Sequence, residues 1–387
     1  VHLESLLALD PDNTRYDIAV VDRKDDRLKA VPQGRGIQTH SNIEGAAEFN
    51  PELVVMVFND KEHLGAYEAL LPLNSVKGVI GEKPFCRNIE EAQKLESYFT
   101  GDQAKFLSLH TVINYSSIFD IARESNWGIP SSANIIGVYT SWGKNRLQDT
   151  RPTTGIISDM THPVGVVSDV LGLNNLMWLN GQGNKGFLSQ PAPDVVWSFD
   201  RHQASHGDIP VCFDASYGWD EQQRRVCVLY RHDNGQAYMQ DYSFDSRDEN
   251  GNVFDQMQVF GLNDIGDELH HVETLDTLGH GDNNKACNYM RTSLNAYDAH
   301  KAKSDQFFPI TGFSHAMLLQ NMLADMEAGV RTSDIDARLD ALDAPAVLRD
   351  ASYTPDISKI INRIGMEEVQ RRMSATYPLD KGFDFHL

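Results

Sequence analysis

The sequence predicts an α/β protein of two domains: an N-terminal domain on a parallel, helix-covered sheet, then an α+β domain with a largely antiparallel sheet. Three observations carry this. The chain has 387 residues, which is long for one core at roughly 100–200 residues per domain. Its first third alternates short apolar runs with single helical patterns. Beyond about residue 120, strand patterns follow one another without a helix between them.

Residues 1–9 (VHLESLLAL) place apolar side chains at helical spacing and stop at Asp10-Pro11. Residues 16–21 (YDIAVV) form a short apolar run ending at Asp22, and residues 53–58 (LVVMVF) form a second, β-branched one. Residues 63–71 read as a helix, 76–80 as a strand, 89–99 as an amphipathic helix and 105–109 as a strand. Strands separated by single helices need crossover connections, so the sheet is parallel and covered by helices. This is the grammar of a Rossmann nucleotide-binding domain, assigned to residues 1–120, whose ligands bind at the carboxyl ends of the strands. Residues 121–387 form the second domain, for substrate binding and oligomerisation. It opens with a helix around 161–171, followed by strands near 195–200, 210–217, 225–231, 236–243 and 256–261. Gly, Asn and Asp punctuate them, as in HDNG at 232–235. Helices return at 313–328 and near the C-terminus.

Composition narrows the function. Apolar residues are 41% and charged residues 23%, as in a globular chain rather than a disordered one. A net charge of −21 is the wrong sign for counterion release from nucleic acid, so no nucleic-acid partner is expected. No run approaches the roughly 18 apolar residues of a membrane span, and the first residues have no basic region or cleavage site of a signal peptide. Cys86, Cys212, Cys227 and Cys287 are scattered without CxxC spacing, which reads as free thiols in a reducing cytoplasm. No HExxH-type spacing points to a metal, and the side chains of adjacent His270 and His271 diverge in either regular structure.

The most specific string is Gly81-Glu82-Lys83-Pro84, directly after VKGVI. A lysine on a loop is ordinarily a solvated charge, but the carboxyl end of a parallel strand is where ligands bind. Proline biases the preceding Lys83 towards an extended backbone. A second string, TGIISDMTH at 154–162, places Asp159 and His162 three apart, on one face of a helix. Pro163 is expected in that helix's first turn, where proline is tolerated.

The run ELVVMVFNDKEHLGAYEALL…VKGVIGEKPFCRNIEEAQKL resembles the glucose-fructose oxidoreductase/inositol dehydrogenase family of NAD(P)-dependent oxidoreductases. The resemblance extends from Val1 to about Leu171 and more weakly to about Val330. It implies that Phe58, Asn59, His63, Glu82 and Lys83 line the cofactor, and that Lys83, Asp159 and His162 are catalytic. In the family the Asp and His stand four apart, and Gly165 stands where a second aspartate is common. Asp22 matches the acidic residue on the adenosine ribose. It favours NAD, whereas Arg23 and Lys24 beside it keep NADP possible. The resemblance implies that Asn114 and Tyr115, which stand where the family has an Arg-Tyr pair, and Arg151 bind the substrate; Trp142 and Arg151 precede the Asp159 segment. The family also opens with a strand and a glycine-rich turn. No GxGxxG occurs here, so those elements are expected upstream of Val1.

Oxidising a secondary alcohol needs a base for the hydroxyl proton, and imidazole suits that task near neutral pH. A carboxylate beside it holds one tautomer, and an ammonium steadies a developing alkoxide. The expected activity is hydride transfer between nicotinamide and a secondary alcohol or ketone of a sugar, amino sugar or cyclitol. The expected assembly is a homodimer or homotetramer. Two alternatives share the fold: a lyase or glycosidase that uses NAD transiently, and a non-catalytic sugar or NAD sensor.

Overall fold

The computed structural model describes residues 1–12, 14–145, 157–174, 176–183, 199–216, 218–262, 269–279 and 284–329. The chain divides into two compact units. The first is Val1–Tyr115 with Asn284–Gln320, and the second is Ser116–Asn283 with the chain from Asn321.

In the first unit, α1 (His2–Leu9) stops at Asp10, whose carboxylate accepts the backbone N–H groups of Thr14, Arg15 and Tyr16, each at 3.0 Å. There follow β1 (Ala19–Val21), α2 (Asp25–Lys29), β2 (Gln38–His40), α3 (Ile43–Phe49), β3 (Leu53–Met56), α4 (His63–Leu70), β4 (Gly78–Gly81), α5 (Ile89–Lys94), α6 (Glu96–Phe99) and β5 (Phe106–Leu109). The unit's named strands pair in parallel, and β5 adds one antiparallel bridge from Leu109 to Thr311. β1 pairs with β2, and β3-β4-β5 form a separate three-stranded sheet. Asparagines start two of the helices: Asn42 accepts the Gly45 N–H and Asn88 the Glu91 N–H, each at 2.9 Å.

The chain returns to this unit as α9 (Lys285–Lys301), capped by the Asn284 side chain. α9 buries Tyr289, Met290, Leu294, Ala296 and Tyr297 against Ile80 and Phe106, with Leu6 and Leu9 of α1 packed alongside. Each large side chain buried there contributes about 1.5–3 kcal/mol. Its polar groups are paired, with Ser108 Oγ 2.8 Å from Ser293 Oγ and the Tyr289 hydroxyl donating to the Ser108 carbonyl at 3.1 Å.

The second unit holds α7 (Ile118–Glu124), β6 (Ile135–Asn145), α8 (Ile157–Gly165) running into a π-turn (Val166–Val170), β7 (Met177–Gly183), β8 (Phe199–His206), β9 (Ile209–Ser216), β10 (Gly218–Arg231), β11 (Ala237–Arg247), β12 (Val253–Leu262) and β13 (Leu269–Asp276). Among the described residues the final helix, α10, spans Phe313–Gly329. One eight-stranded sheet has the order β13-β12-β11-β10-β6-β9-β8-β7. All its pairings are antiparallel except β6 with β9, where Val138 lies opposite Val211. The HDNG turn joins β10 to β11, and Gly235 takes φ 85°, which glycine adopts without strain. Across this hairpin Arg225 forks onto Asp241 at 3.1 and 2.5 Å.

Pro163 is a correction. It lies at the seventh position of α8 rather than in the first turn. Having no N–H, it cannot bond the carbonyl of Asp159 four residues back, and the helix loosens into the π-turn soon afterwards. β8 overlaps the strand expected near 195–200 only at Phe199 and Asp200 and runs on to His206; residues 184–198 lie outside the described residues.

Candidate active site

Within the first unit, the carboxyl ends of β1, β3, β4 and β5 carry most of the candidate residues. Asp22 directly follows β1. Its Oδ1 accepts the Lys24 N–H at 2.9 Å and its Oδ2 pairs with Arg27 at 3.0 Å. Partial burial works against ionisation, but these donors hold the carboxyl below its usual range. Arg23 is tied to Glu62 at 2.6 Å. After β3, Phe58 is half-buried and Asn59 exposed. His63 is 2% exposed, with Nδ1 2.9 Å from the Pro84 carbonyl and Nε2 3.2 Å from that of Phe58. Its ring therefore braces the β3 and β4 loops against each other.

Gly81 ends β4 because nothing larger fits. A Cβ there would lie 2.4 Å from the Tyr67 hydroxyl of α4. Glu82 and half-buried Lys83 follow, and the Lys83–Pro84 bond is cis. Burial opposes the charge of Glu82, yet His110 and His2 hold its carboxyl well below the usual range. Asn114 and Tyr115 lie in a 3₁₀ turn after β5. The Tyr115 hydroxyl donates to the Pro309 carbonyl at 2.8 Å, so that proton is already engaged.

The second unit carries the acid/base candidates. Asp159 and His162 of α8 are 4% and 9% exposed. The His162 ring centroid lies 5.8 Å from that of Trp142 on β6. Opposite Trp142 in register is Arg224 of β10, whose guanidinium lies 6.0 Å from the indole centroid and pairs with Asp245. Burial draws Arg224 below its ordinary pKa, against the attraction of Asp159 and Asp255. Asp255 accepts the Ser116 hydroxyl at 2.6 Å and the Asp245 N–H at 2.8 Å. Charges are costly to bury, and this region buries several. Arg151 lies outside the described residues.

Arg224 escapes the sequence reading. Its signal is alternation: Arg224 shares a strand face with Val226 and Val228, both fully buried, so a cation occupies an inward position. His2 and His110 escape it as well, because they meet Glu82 from 80 and 28 positions away in sequence.

No family model matches the sequence, and no curated protein does. Among solved structures, similarity is found to the UDP-N-acetylglucosamine 3-dehydrogenase of Acidithiobacillus ferrooxidans, with TM-score 0.60 and 14% identity over 85% of this chain and 95% of that one. The dehydrogenase MviM of Clostridium difficile gives 0.60 and 11% over 84% and 94%. The transcriptional regulator Gal80p of Kluyveromyces lactis gives 0.61 and 14% over 87% and 88%. The chain has the fold of the glucose-fructose oxidoreductase/inositol dehydrogenase type, as the sequence resemblance implies. Oxidoreductases and a transcriptional regulator both use that fold.

Proposed function

We propose that the protein is an NAD(P)-dependent oxidoreductase acting on a secondary alcohol or ketone of a sugar, amino sugar or cyclitol. The observation that carries this is the burial of both Asp159 and His162 on α8, with the His162 ring beside Trp142 and Asp159 acting electrostatically on Arg224. A sheet needs no such charges for packing, whereas proton transfer does.

The donor set at the strand ends of the first unit fits a nicotinamide dinucleotide. Asp22 is an ionised acceptor for the hydroxyls of a ribose, Phe58 offers a ring face, and Asn59 and Lys83 offer polar groups. The bound cofactor supplies the hydride acceptor or donor. His162 takes the proton from the substrate hydroxyl in oxidation and returns it in reduction. Asp159 orients the imidazole and favours its charged form. Lys83 donates to the substrate oxygen as negative charge develops there. Burial of Asp159 and His162 keeps bulk water from competing for that proton.

A screen of sugars and cyclitols with NAD and with NADP, followed by nicotinamide absorbance, tests the reading. Net reduction of cofactor by one substrate class supports it, whereas product formation without net NADH points to the lyase or glycosidase chemistry. A sensor reading is favoured by one observation, the three-residue Asp159–His162 spacing with Gly165 following. Tight sugar or NAD binding with no turnover would establish it instead.

We also propose a homodimer or homotetramer. β13 is the edge of the described sheet, and its Leu269 and Val272 are 49% and 39% exposed, so a second copy can cover it. Sedimentation should give at least a dimer at micromolar concentration, and a monomer would refute this.

A further inference from the structure

We infer that His2, Glu82 and His110 form a binding site for a transition-metal dication of the zinc class. The three come from the first turn of α1 and from the residues directly after β4 and β5. His2 Nε2 lies 2.6 Å and His110 Nδ1 2.8 Å from the same oxygen, Glu82 Oε1. All three ligand atoms lie within 4.8 Å of one another. The side chains are 11%, 19% and 9% exposed, so few waters compete for them.

The charge pattern separates Glu82 from the buried acids Glu91 and Asp241. Glu91 is clamped by Arg87, and Asp241 is forked by Arg225. The side-chain partners of Glu82 are two imidazoles, groups that exchange a proton for a metal readily. An ion at His110 Nδ1 takes the place of the proton that this nitrogen donates to Glu82 Oε1, 2.8 Å away. Two imidazoles and one carboxylate are the donor set of zinc sites that keep a fourth position for water. Borderline nitrogen donors exclude magnesium and calcium, which take oxygen. One carboxylate against a dication leaves the site with net charge +1, which suits an anionic or water-derived fourth ligand.

The backbone is prepared for such an ion. The His110 N–H donates to the Gly81 carbonyl at 2.7 Å, which fixes the two strand ends bearing His110 and Glu82 relative to each other. The His2 and His110 rings meet edge to face with centroids 4.7 Å apart, and His110 also contacts the Tyr289 ring at 4.4 Å. Those contacts limit the rotation that either imidazole must lose on binding.

The test uses the full chain, purified with chelator and titrated with Co²⁺ alone, with visible ligand-field absorption as readout; Zn²⁺ is then titrated calorimetrically. One ion per chain is expected, with Zn²⁺ displacing the Co²⁺ spectrum. His2→Ala and His110→Ala should each weaken binding by more than the roughly 10–100-fold that loss of a supporting residue around a metal costs. Glu82→Gln, which keeps shape and removes charge, should do the same with an unchanged circular dichroism spectrum. His270→Ala, on β13 of the second unit, should bind as the wild type does. Absence of a Co²⁺ spectrum together with absence of Zn²⁺ heat in the wild type would overturn the site. So would unweakened binding in His2→Ala and His110→Ala, and in that case the cluster is a hydrogen-bonded clasp only.

Discussion

His162 of α8 lies 5.8 Å, ring centroid to ring centroid, from Trp142 of β6, and the Arg224 guanidinium lies 6.0 Å from that same indole. The indole packs beside the imidazole, which stands one residue before Pro163. His162→Ala should lower turnover by about 10²–10⁴-fold, the usual value of one acid–base group, with little change in cofactor affinity. The wild-type oxidation rate should rise through an imidazole pKa, and that limb should vanish in His162→Ala. Near-normal turnover with an unchanged profile would place the base elsewhere. The engaged Tyr115 hydroxyl is a poor substitute, so Tyr115→Phe should retain the limb. Lys83→Ala should also lower turnover more than it weakens cofactor binding.

Asp22 governs the choice of cofactor. An ionised carboxylate accepts from two ribose hydroxyls and repels a 2′-phosphate, so fluorescence titration should give tighter binding of NAD than of NADP. In Asp22→Ala that preference should narrow, since Arg27 loses its partner and can meet the phosphate. Equal affinities in the wild type would end this assignment.

Gly81 and Tyr67 make a close-packed pair. Gly81→Ala drives a Cβ into the Tyr67 hydroxyl, and overpacking of this kind costs about 1–3 kcal/mol in urea unfolding. Tyr67→Phe removes the oxygen that collides. The double variant should therefore recover part of the loss, and strictly additive losses would contradict the packing argument.

Buried tyrosines predict how the protein fails in alkali. Burial pushes Tyr230 up to about 12 and raises Tyr242, Tyr289 and Tyr297 above their ordinary value. Each favours the neutral phenol in the folded state, against about 10 in the unfolded chain. Their contribution is complete below pH ~10 and is lost as pH rises through the folded values. Unfolding by circular dichroism should coincide with phenolate absorbance above pH ~10. Full phenolate absorbance with intact structure would show that these rings are accessible.

The legible part of the fold is the part with strong apolar contrast. LVVM and GVIG stand out as apolar parallel strands, and the alternation in VCVLY marks the middle of the second unit's sheet. β2 is QTH, with two exposed residues of three, and β13 is exposed at six of its eight positions. Neither carries a pattern, because hydrogen bonding to a neighbour defines these strands rather than burial. α9, which returns to the first unit, is not legible as part of it for another reason. Tyr289 and Met290 find Ile80 and Phe106 across some two hundred positions, and local spacing holds no record of such a partner. Among candidate site residues, Lys83 and Asp22 declare themselves by standing at strand ends. His63 was expected to line the cofactor, and the structure shows both its ring nitrogens facing loop carbonyls.

The return of α9 to the first unit sets an order of events during synthesis. Ile80 and Phe106 leave the ribosome early, while Tyr289, Met290 and Leu294, which cover them, follow only after residues 116–283. At about 5–20 residues per second that interval is on the order of ten seconds or more, in which an apolar surface stays open on the nascent chain. A message truncated before residue 284 would make that exposure permanent, so such a product should partition to chaperones or aggregates even though every strand of its first unit is present.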